Sequence, residues 1–363
     1  MSEEFRVPRF FLGANSPMGF VSHFSHLYDP EQGWFAYILK GGPGTGKSTL
    51  MKRAAKAAVD AGVRTELIFC SSDADSLDAV IFPDLKRCIA DGTAPHVLEP
   101  QFPGVSDVIV NLGECWDRSA LFKEREKIIA VTKKCAALHQ RSRRYLSACG
   151  ALDSDIAKVI LESINHEKMI KYADNLSKKL FKKEGEKPGK EAVRLLSAFT
   201  PSGMVFFEDT ISQLCPTLYV IEDEFGSAAG TLLCYLRDRA LAAGQEVIAC
   251  YCPMAPTTRL DHLLLPELGV GFVSSNRWHA VTLPPYRRIH TTRFMDSANI
   301  SGRQQRLNFN RKAERELLDE AVLKLQEAKK THDVLEGLYE QGMDYGKVNE
   351  ITERIIGEIL SLT

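Results

Sequence analysis

Residues 34–50 read WFAYILKGGPGTGKSTL, and the rest of the chain is organised around them. Trp34 to Leu39 is an apolar, aromatic and β-branched run of strand length. Gly41 to Ser48 follows as G-x-x-x-x-G-K-[ST]. Leu50 to Val59 is helix-forming, with Gly62 as its stop. Strand, glycine-rich loop and helix in this order form the setting in which the motif cradles phosphates. The glycines let backbone N–H groups turn inward without Cβ obstruction, and Pro43 stiffens the loop. The following helix N-terminus adds partial positive charge. Lys47 brings a full cation to the β- and γ-phosphates, and Ser48 offers Mg2+ a hard oxygen. The expected nucleotide-binding set is therefore Gly41, Gly42, Pro43, Gly44, Thr45, Gly46, Lys47, Ser48 and Thr49, with ATP and Mg2+ as ligands. ATP is favoured over GTP because no N/T-K-x-D motif is present to read guanine; Thr132-Lys133-Lys134-Cys135 lacks the Asp.

Outward from the loop, the chain repeats itself. Tyr37–Leu50 lies on Tyr219–Leu232, with Tyr37, Gly44, Thr49 and Leu50 matching Tyr219, Gly226, Thr231 and Leu232. Ala58, Ala61, Gly62 and Cys70 then match Ala240, Ala243, Gly244 and Cys252. After one inserted residue, Leu77, Asp78, Pro83, Leu85 and His96 match Leu260, Asp261, Pro266, Leu268 and His279. A duplicated unit joined near Lys183–Ala192 is expected. The second copy has lost its phosphate chemistry: Gly41, Gly42, Lys47 and Ser48 become Asp223, Glu224, Ala229 and Gly230. It is expected to bind no nucleotide and to regulate the first copy. Arg237, Arg239, Arg259 or Arg277 could reach across to the first site, although an ordinary surface role is the stronger expectation for any one of them.

A metal-bound phosphate site also needs a carboxylate at a strand end. Asp91 ends Arg87–Asp91 before the turn at Gly92, and Asp73 follows the strand-like run Glu66–Cys70. Asp91 is taken as the metal ligand beside Ser48. Asp73 would polarise a water or contact a substrate. Asp78 and His96 persist in the second copy, so structural roles are expected for both.

The chain resembles a family of bacterial duplicated P-loop ATPase-like proteins. The residues carrying the resemblance are F-x-G-A-N-S-P-M-G-F from Phe11, LKGGPGTGKSTLMK from Leu39, CSSDADSLD from Cys70 and ADGTAPH from Ala90. It covers nearly the whole chain. It implies two P-loop-type α/β units with nucleotide bound by at least the first, and it implies no particular substrate. Some relatives keep a glycine-rich loop in both halves, and this chain departs from them in the second.

The expected fold class is α/β: two tandem P-loop NTPase-like units with mostly parallel sheets, each followed by long helices, the second unit degenerate. The domains expected are a nucleotide-binding unit over 1–117, a helical hairpin and basic linker over 118–185, a degenerate unit over 186–300 and a C-terminal helical hairpin over 301–363. A break near Gly150–Ser154 would turn the first hairpin. In the first long helix Leu121, Ile128, Cys135, Ser142 and Cys149 recur every seven residues, a weak heptad. Lys and Arg outnumber Asp and Glu between 123 and 194. That basic segment is the one candidate surface for a nucleic acid or a protein partner.

Composition narrows the function. With 46 Lys plus Arg against 47 Asp plus Glu, a globally basic nucleic-acid binder is excluded. No apolar run approaches the ~20 residues of a membrane helix. The N-terminal MSEEFRVPRFF lacks the features of a signal peptide, and nine scattered cysteines form no disulfide framework. A cytoplasmic protein without membrane contact is expected. The expected activity is Mg-ATP binding and slow hydrolysis coupled to a conformational change. The alternatives are a small-molecule phosphotransferase and a non-enzymatic ATP-binding switch or scaffold.

Overall fold

In the strand Phe35–Lys40 the middle four residues are buried. Ala36 and Ile38 join one apolar cluster, and Tyr37 and Leu39 join another. A strand covered on both faces belongs inside a sheet with layers on either side, and the computed structural model places it there. The structure describes residues 7–182 and 187–362.

The first unit begins with β1 (Arg9–Phe11), β2 (Gly13–Ser16), β3 (Gly19–Ser22) and β4 (Phe35–Lys40). It continues through α1 (Lys47–Asp60), β5 (Glu66–Phe69), β6 (Leu77–Phe82), β7 (Arg87–Asp91) and β8 (Asp107–Asn111). The helices α2 (Arg118–Lys123), α3 (Arg125–Glu162) and α4 (His166–Leu180) follow. The second unit runs β9 (Glu191–Arg194), β10 (Ser197–Thr200), β11 (Gly203–Phe206), α5 (Glu208–Leu214), β12 (Thr217–Glu222) and α6 (Ala228–Ala242). Then come β13 (Val247–Tyr251), β14 (Leu260–Leu265), β15 (Val270–Ser275), β16 (Arg287–His290), α7 (Ser297–Ser301), α8 (Gln304–Glu340) and α9 (Tyr345–Leu360). The expected join at 183–192 lies partly outside the described residues.

Both units carry a 6-stranded sheet of the same order, β1-β5-β6-β7-β4-β8 and β9-β13-β14-β15-β12-β16. The sheets are mixed, which corrects the expectation of mostly parallel ones. β6 is antiparallel to β5 and β7, while the other pairings in its sheet are parallel. β14 repeats this between β13 and β15. The helices α1 and α6 allow a parallel return after the loop strand, and the long connection between β7 and β8 allows another. The turns around β6 and β14 are too short for anything but reversal.

The two units contact each other reciprocally. Phe11 and Leu195 hold equivalent positions and bridge each other, with Phe11 N to Leu195 O at 2.8 Å and Leu195 N to Phe11 O at 3.0 Å. One apolar cluster runs through this contact, from Phe10, Ala36 and Ile68 to Leu196, Val220 and Leu264. The expected heptad lines the antiparallel seam of α3 and α8. Cys135 Sγ donates to Ala328 O, Ser142 Oγ to Ala321 O at 3.0 Å, and Cys149 Sγ to Glu314 O. Small side chains there allow the backbones to approach closely.

The helical hairpins expected over 118–185 and 301–363 are not formed as such. α3 does not break at Gly150–Ser154 but continues to Glu162. Gly150 is there for packing: a Cβ on it would meet Pro17 Cβ at 2.4 Å. The real corner is at Asn165, whose side chain accepts from Lys168 N at 2.9 Å and starts α4. Asp344 does the same for α9. Each half then sends its last helix to the other. α4 packs on α6, and α9 packs on α1. Ile355 and Ile359 complete the first unit's outer core with Leu50 and Met51, while Met169 and Leu176 complete the second's with Leu232 and Leu236.

Candidate functional site

The glycine-rich loop leaves β4 and enters α1 through two left-handed residues, Gly44 (φ 69°) and Gly46 (φ 82°). At Gly44 the crowding is also external, since a Cβ would lie 2.9 Å from the Glu336 carbonyl of α8. Gly46 is the N-cap of α1 and has no side chain with which to bond the helix N-terminus. Lys47 folds back over the loop, donating to Gly41 O at 2.7 Å and Gly42 O at 2.9 Å. Thr45 Oγ1 ties the turn through Gly42 O at 2.9 Å.

Asp91 lies where its strand pairing puts it, opposite Leu39 at the mouth of the loop. Its Oδ2 is 3.6 Å from Lys47 Nζ, and its Oδ1 accepts from Thr93 N at 2.8 Å. Burial raises its pKa, with Lys47 working against that rise. Ser48 Oγ accepts from Leu77 N at 3.0 Å. Asp73 is tied elsewhere, by Ser76 Oγ at 2.9 Å and Lys329 Nζ at 3.3 Å. Both aspartates and the whole loop from Gly41 to Thr49 line one cavity of about 1340 Å3. That exceeds the ~300–1,000 Å3 typical of small-ligand sites.

Two further groups line that cavity; of their members the sequence offers only Asp78 a functional role, beside an acceptor in the phosphotransferase alternative. Asp78 and His96, expected to be structural, form a buried pair at 3.0 Å. Burial opposes charge on His96, but the Asp78 carboxylate outweighs it and the pKa is raised. Asp78 reaches this position because it is the extra residue of a bulge, between the pairs Ile68–Ala79 and Phe69–Leu77. The second group is Cys135 and His139 from α3 with His332 and Glu336 from α8. Hydrogen bonds from His139 and His332 lower the Cys135 pKa to about 6, and the same partnership with Cys135, then Glu336, raises His332 to about 9. The thiol also donates to Ala328 O, 3.7 Å away. The i, i+4 spacing of each pair was visible in the sequence, but nothing there showed that α3 would meet α8.

Tyr345, the first residue of α9, donates its hydroxyl to Gly44 O at 2.9 Å. The second half thus reaches the loop through α8 and α9 rather than through an arginine. The four candidate arginines are all held elsewhere. Arg237 pairs with Asp238, Arg239 with Asp174, Arg259 with Asp153, and Arg277 with both Asp153 and Glu314. None of the four lines the cavity.

The second copy's loop is closed by its own residues. Asp223, in place of Gly41, is 1% exposed and accepts from Phe225 N at 3.2 Å and Ala229 N at 2.8 Å. Its carboxylate occupies the helix N-terminus that has no capping side chain in the first copy. Arg277 bonds the Phe225 carbonyl, much as Lys47 bonds its own loop. Glu224 turns outward to Arg311 at 2.6 Å.

No family model, curated protein or solved structure matches the chain. The coordinates themselves define its class: an α/β protein of two like units with mixed 6-stranded sheets and exchanged long helices. Among the described residues, no helix is long and apolar enough to cross a membrane. Basic residues of the 123–194 segment, Lys133, Lys134, Lys171 and Lys178 among them, are exposed on α3 and α4.

Proposed function

We propose that the first half binds ATP with Mg2+ at Gly41–Thr49 and hydrolyses it slowly, with turnover coupled to the seating of α8 and α9. The contrast between the two loops carries this reading. One helix N-terminus starts at a glycine without a capping side chain, faces a cavity and has a lysine beside it; its counterpart is filled by the Asp223 carboxylate. A carboxylate at that point is a local stand-in for the anion the first loop would take.

In this reading Lys47 exchanges the Gly41 and Gly42 carbonyls for phosphate oxygens, and the N–H groups opening α1 hold the same anion. The donor chemistry suits Mg2+: Ser48 Oγ spends one lone pair on Leu77 N, and Asp91 keeps Oδ2 free of the Thr93 bond. The bound ion would supply charge neutralisation at the phosphates. Gly44 is the point of coupling, because the α8 backbone and the Tyr345 hydroxyl both touch it. A loop that reshapes around phosphate must shift those contacts.

One observation favours phosphoryl transfer to a small acceptor as a second reading. The buried His96–Asp78 pair lines the same cavity and has the form of an oriented general base. ADP release measured with and without a metabolite extract separates the two. Acceptor-independent ADP supports hydrolysis, acceptor-dependent ADP supports transfer, and no ADP from a protein that binds ATP would sink both.

A further inference from the structure

We infer that Asp261, His262 and His279 form a zinc site inside the second unit. Their ligand atoms all lie within 4.8 Å of one another. The three residues are 2%, 0% and 7% exposed. Asp261 and His262 are neighbours on a strand and would ordinarily point to opposite faces. A bulge changes that. Cys250 pairs with His262 and Tyr251 with Leu260, so Asp261 is the extra residue, and the kink turns its side chain toward His262. His279 arrives from the segment after β15.

The hydrogen bonding leaves donors pointing inward. Asp261 Oδ1 is held by Ser274 Oγ at 3.2 Å, while Oδ2 has no partner. Both ring nitrogens of His262 and both of His279 lack a hydrogen bond. The Ser274 hydroxyl that holds Asp261 Oδ1 is the kind of outer partner that orients a metal-bound carboxylate. Phe206 covers both rings, with centroids 5.3 Å from His262 and 4.5 Å from His279. Polar atoms buried in such surroundings are costly to leave unmatched. A shared cation satisfies an oxygen and two nitrogens at once.

The equivalent cluster in the first unit shows why the second is different. Cys70, Asp78 and His96 also converge, but His96 Nε2 closes on Asp78 Oδ2 at 3.0 Å, and a proton completes that pair. In the second unit His262 stands where the first has Ala79. The added imidazole supplies a third donor and removes the simple ion pair. Neutral rings are the form that binds metal. Two imidazoles and one carboxylate are a donor set for Zn2+ rather than for Mg2+ or Ca2+. Zn–N bonds of about 2.0–2.1 Å place donors roughly 3.3 Å apart, which small side-chain rotations reach here. The ion would staple β14 to the segment after β15, in the half that binds no nucleotide.

The test uses the full chain, stripped with a chelator and titrated with Co2+ as the spectroscopic probe for zinc. One equivalent per chain is expected, with the intense visible bands of a tetrahedral site. His279→Ala and Asp261→Asn should each weaken Co2+ binding by at least about 100-fold, and Ser274→Ala by about tenfold. Asp261→Asn keeps the side-chain shape, so circular dichroism should show it folded even if His279→Ala is not. Lys47→Ala and Cys70→Ala should leave the metal titration unchanged. Three results would overturn the assignment: a folded wild-type chain that takes up no Co2+, equal uptake by folded Asp261→Asn, or uptake abolished by Cys70→Ala instead.

Discussion

The Asp223 carboxylate accepts the Ala229 amide at 2.8 Å, inside the N-terminus of α6. It is nearly solvent-free, and burial raises its pKa against the lowering pull of the Ala229, Phe225 and Gly226 amides. A buried acceptor that caps a helix contributes about 1–2 kcal/mol. Asp223→Ala should therefore lower the unfolding free energy by that amount, seen as a lower denaturation midpoint, and create no nucleotide site, since Ala229 and Gly230 still lack the cation and hydroxyl. An unchanged midpoint would mean the carboxylate is not holding the loop.

Lys47→Ala should reduce turnover by at least about 100-fold with little change in stability, because Lys47 bonds only carbonyls of its own loop and Asp91. Asp91→Asn should impair turnover more than Asp73→Asn. Asp91 faces Lys47, whereas Asp73 is committed to Ser76 and Lys329. Steady-state ADP release by the two variants, with Mg2+ titrated, gives the order; the reverse order would move the metal role to Asp73.

Cys135 and His332 predict a window of pH. A thiol lowered to about 6 adds stability that is present at high pH and lost as pH falls through 6. A histidine raised to about 9 adds stability that is complete below 6.5 and lost as pH rises through 9. Together they hold α3 against α8 between about 6 and 9. Alkylation of Cys135 should be fast at pH 7, fall about tenfold per pH unit below 6, and slow when ATP fills the cavity. His332→Gln should shift that profile upward. A profile centred near the ordinary thiol value of 9.0 would show that no thiolate pair forms.

Gly150→Ala sets two effects against each other. Helix propensity alone favours Ala by about 1 kcal/mol. The new Cβ, however, would meet Pro17 at 2.4 Å, and such overpacking costs about 1–3 kcal/mol. Net destabilisation in a urea titration is expected. A gain in stability would mean that the β2–β3 hairpin yields easily.

These sites differ in how readable they were. The loop could be read because its chemistry is local: Gly44, Gly46, Lys47 and Ser48 are adjacent in sequence. The repeat could be read because Gly62 and Gly244 close equivalent helices. Sheet direction could not, since the apolar pattern of Leu77–Phe82 is the same whether the strand runs with its neighbours or against them. The exchange of helices was hidden too. The spacing of Cys135, Ser142 and Cys149 specifies a seam but not its partner. The placement of Asp78 and Asp261 is hidden as well, because a bulge leaves no periodic signal, and the bulge is what brings each to its histidine.

The most direct test of one open loop and one self-filled loop is calorimetric titration of the full chain with a non-hydrolysable ATP analogue and Mg2+. The account predicts a stoichiometry near one, eliminated by Lys47→Ala and kept by Asp223→Ala. Two sites, or a site that survives Lys47→Ala and disappears when residues 223–230 are altered, would contradict it.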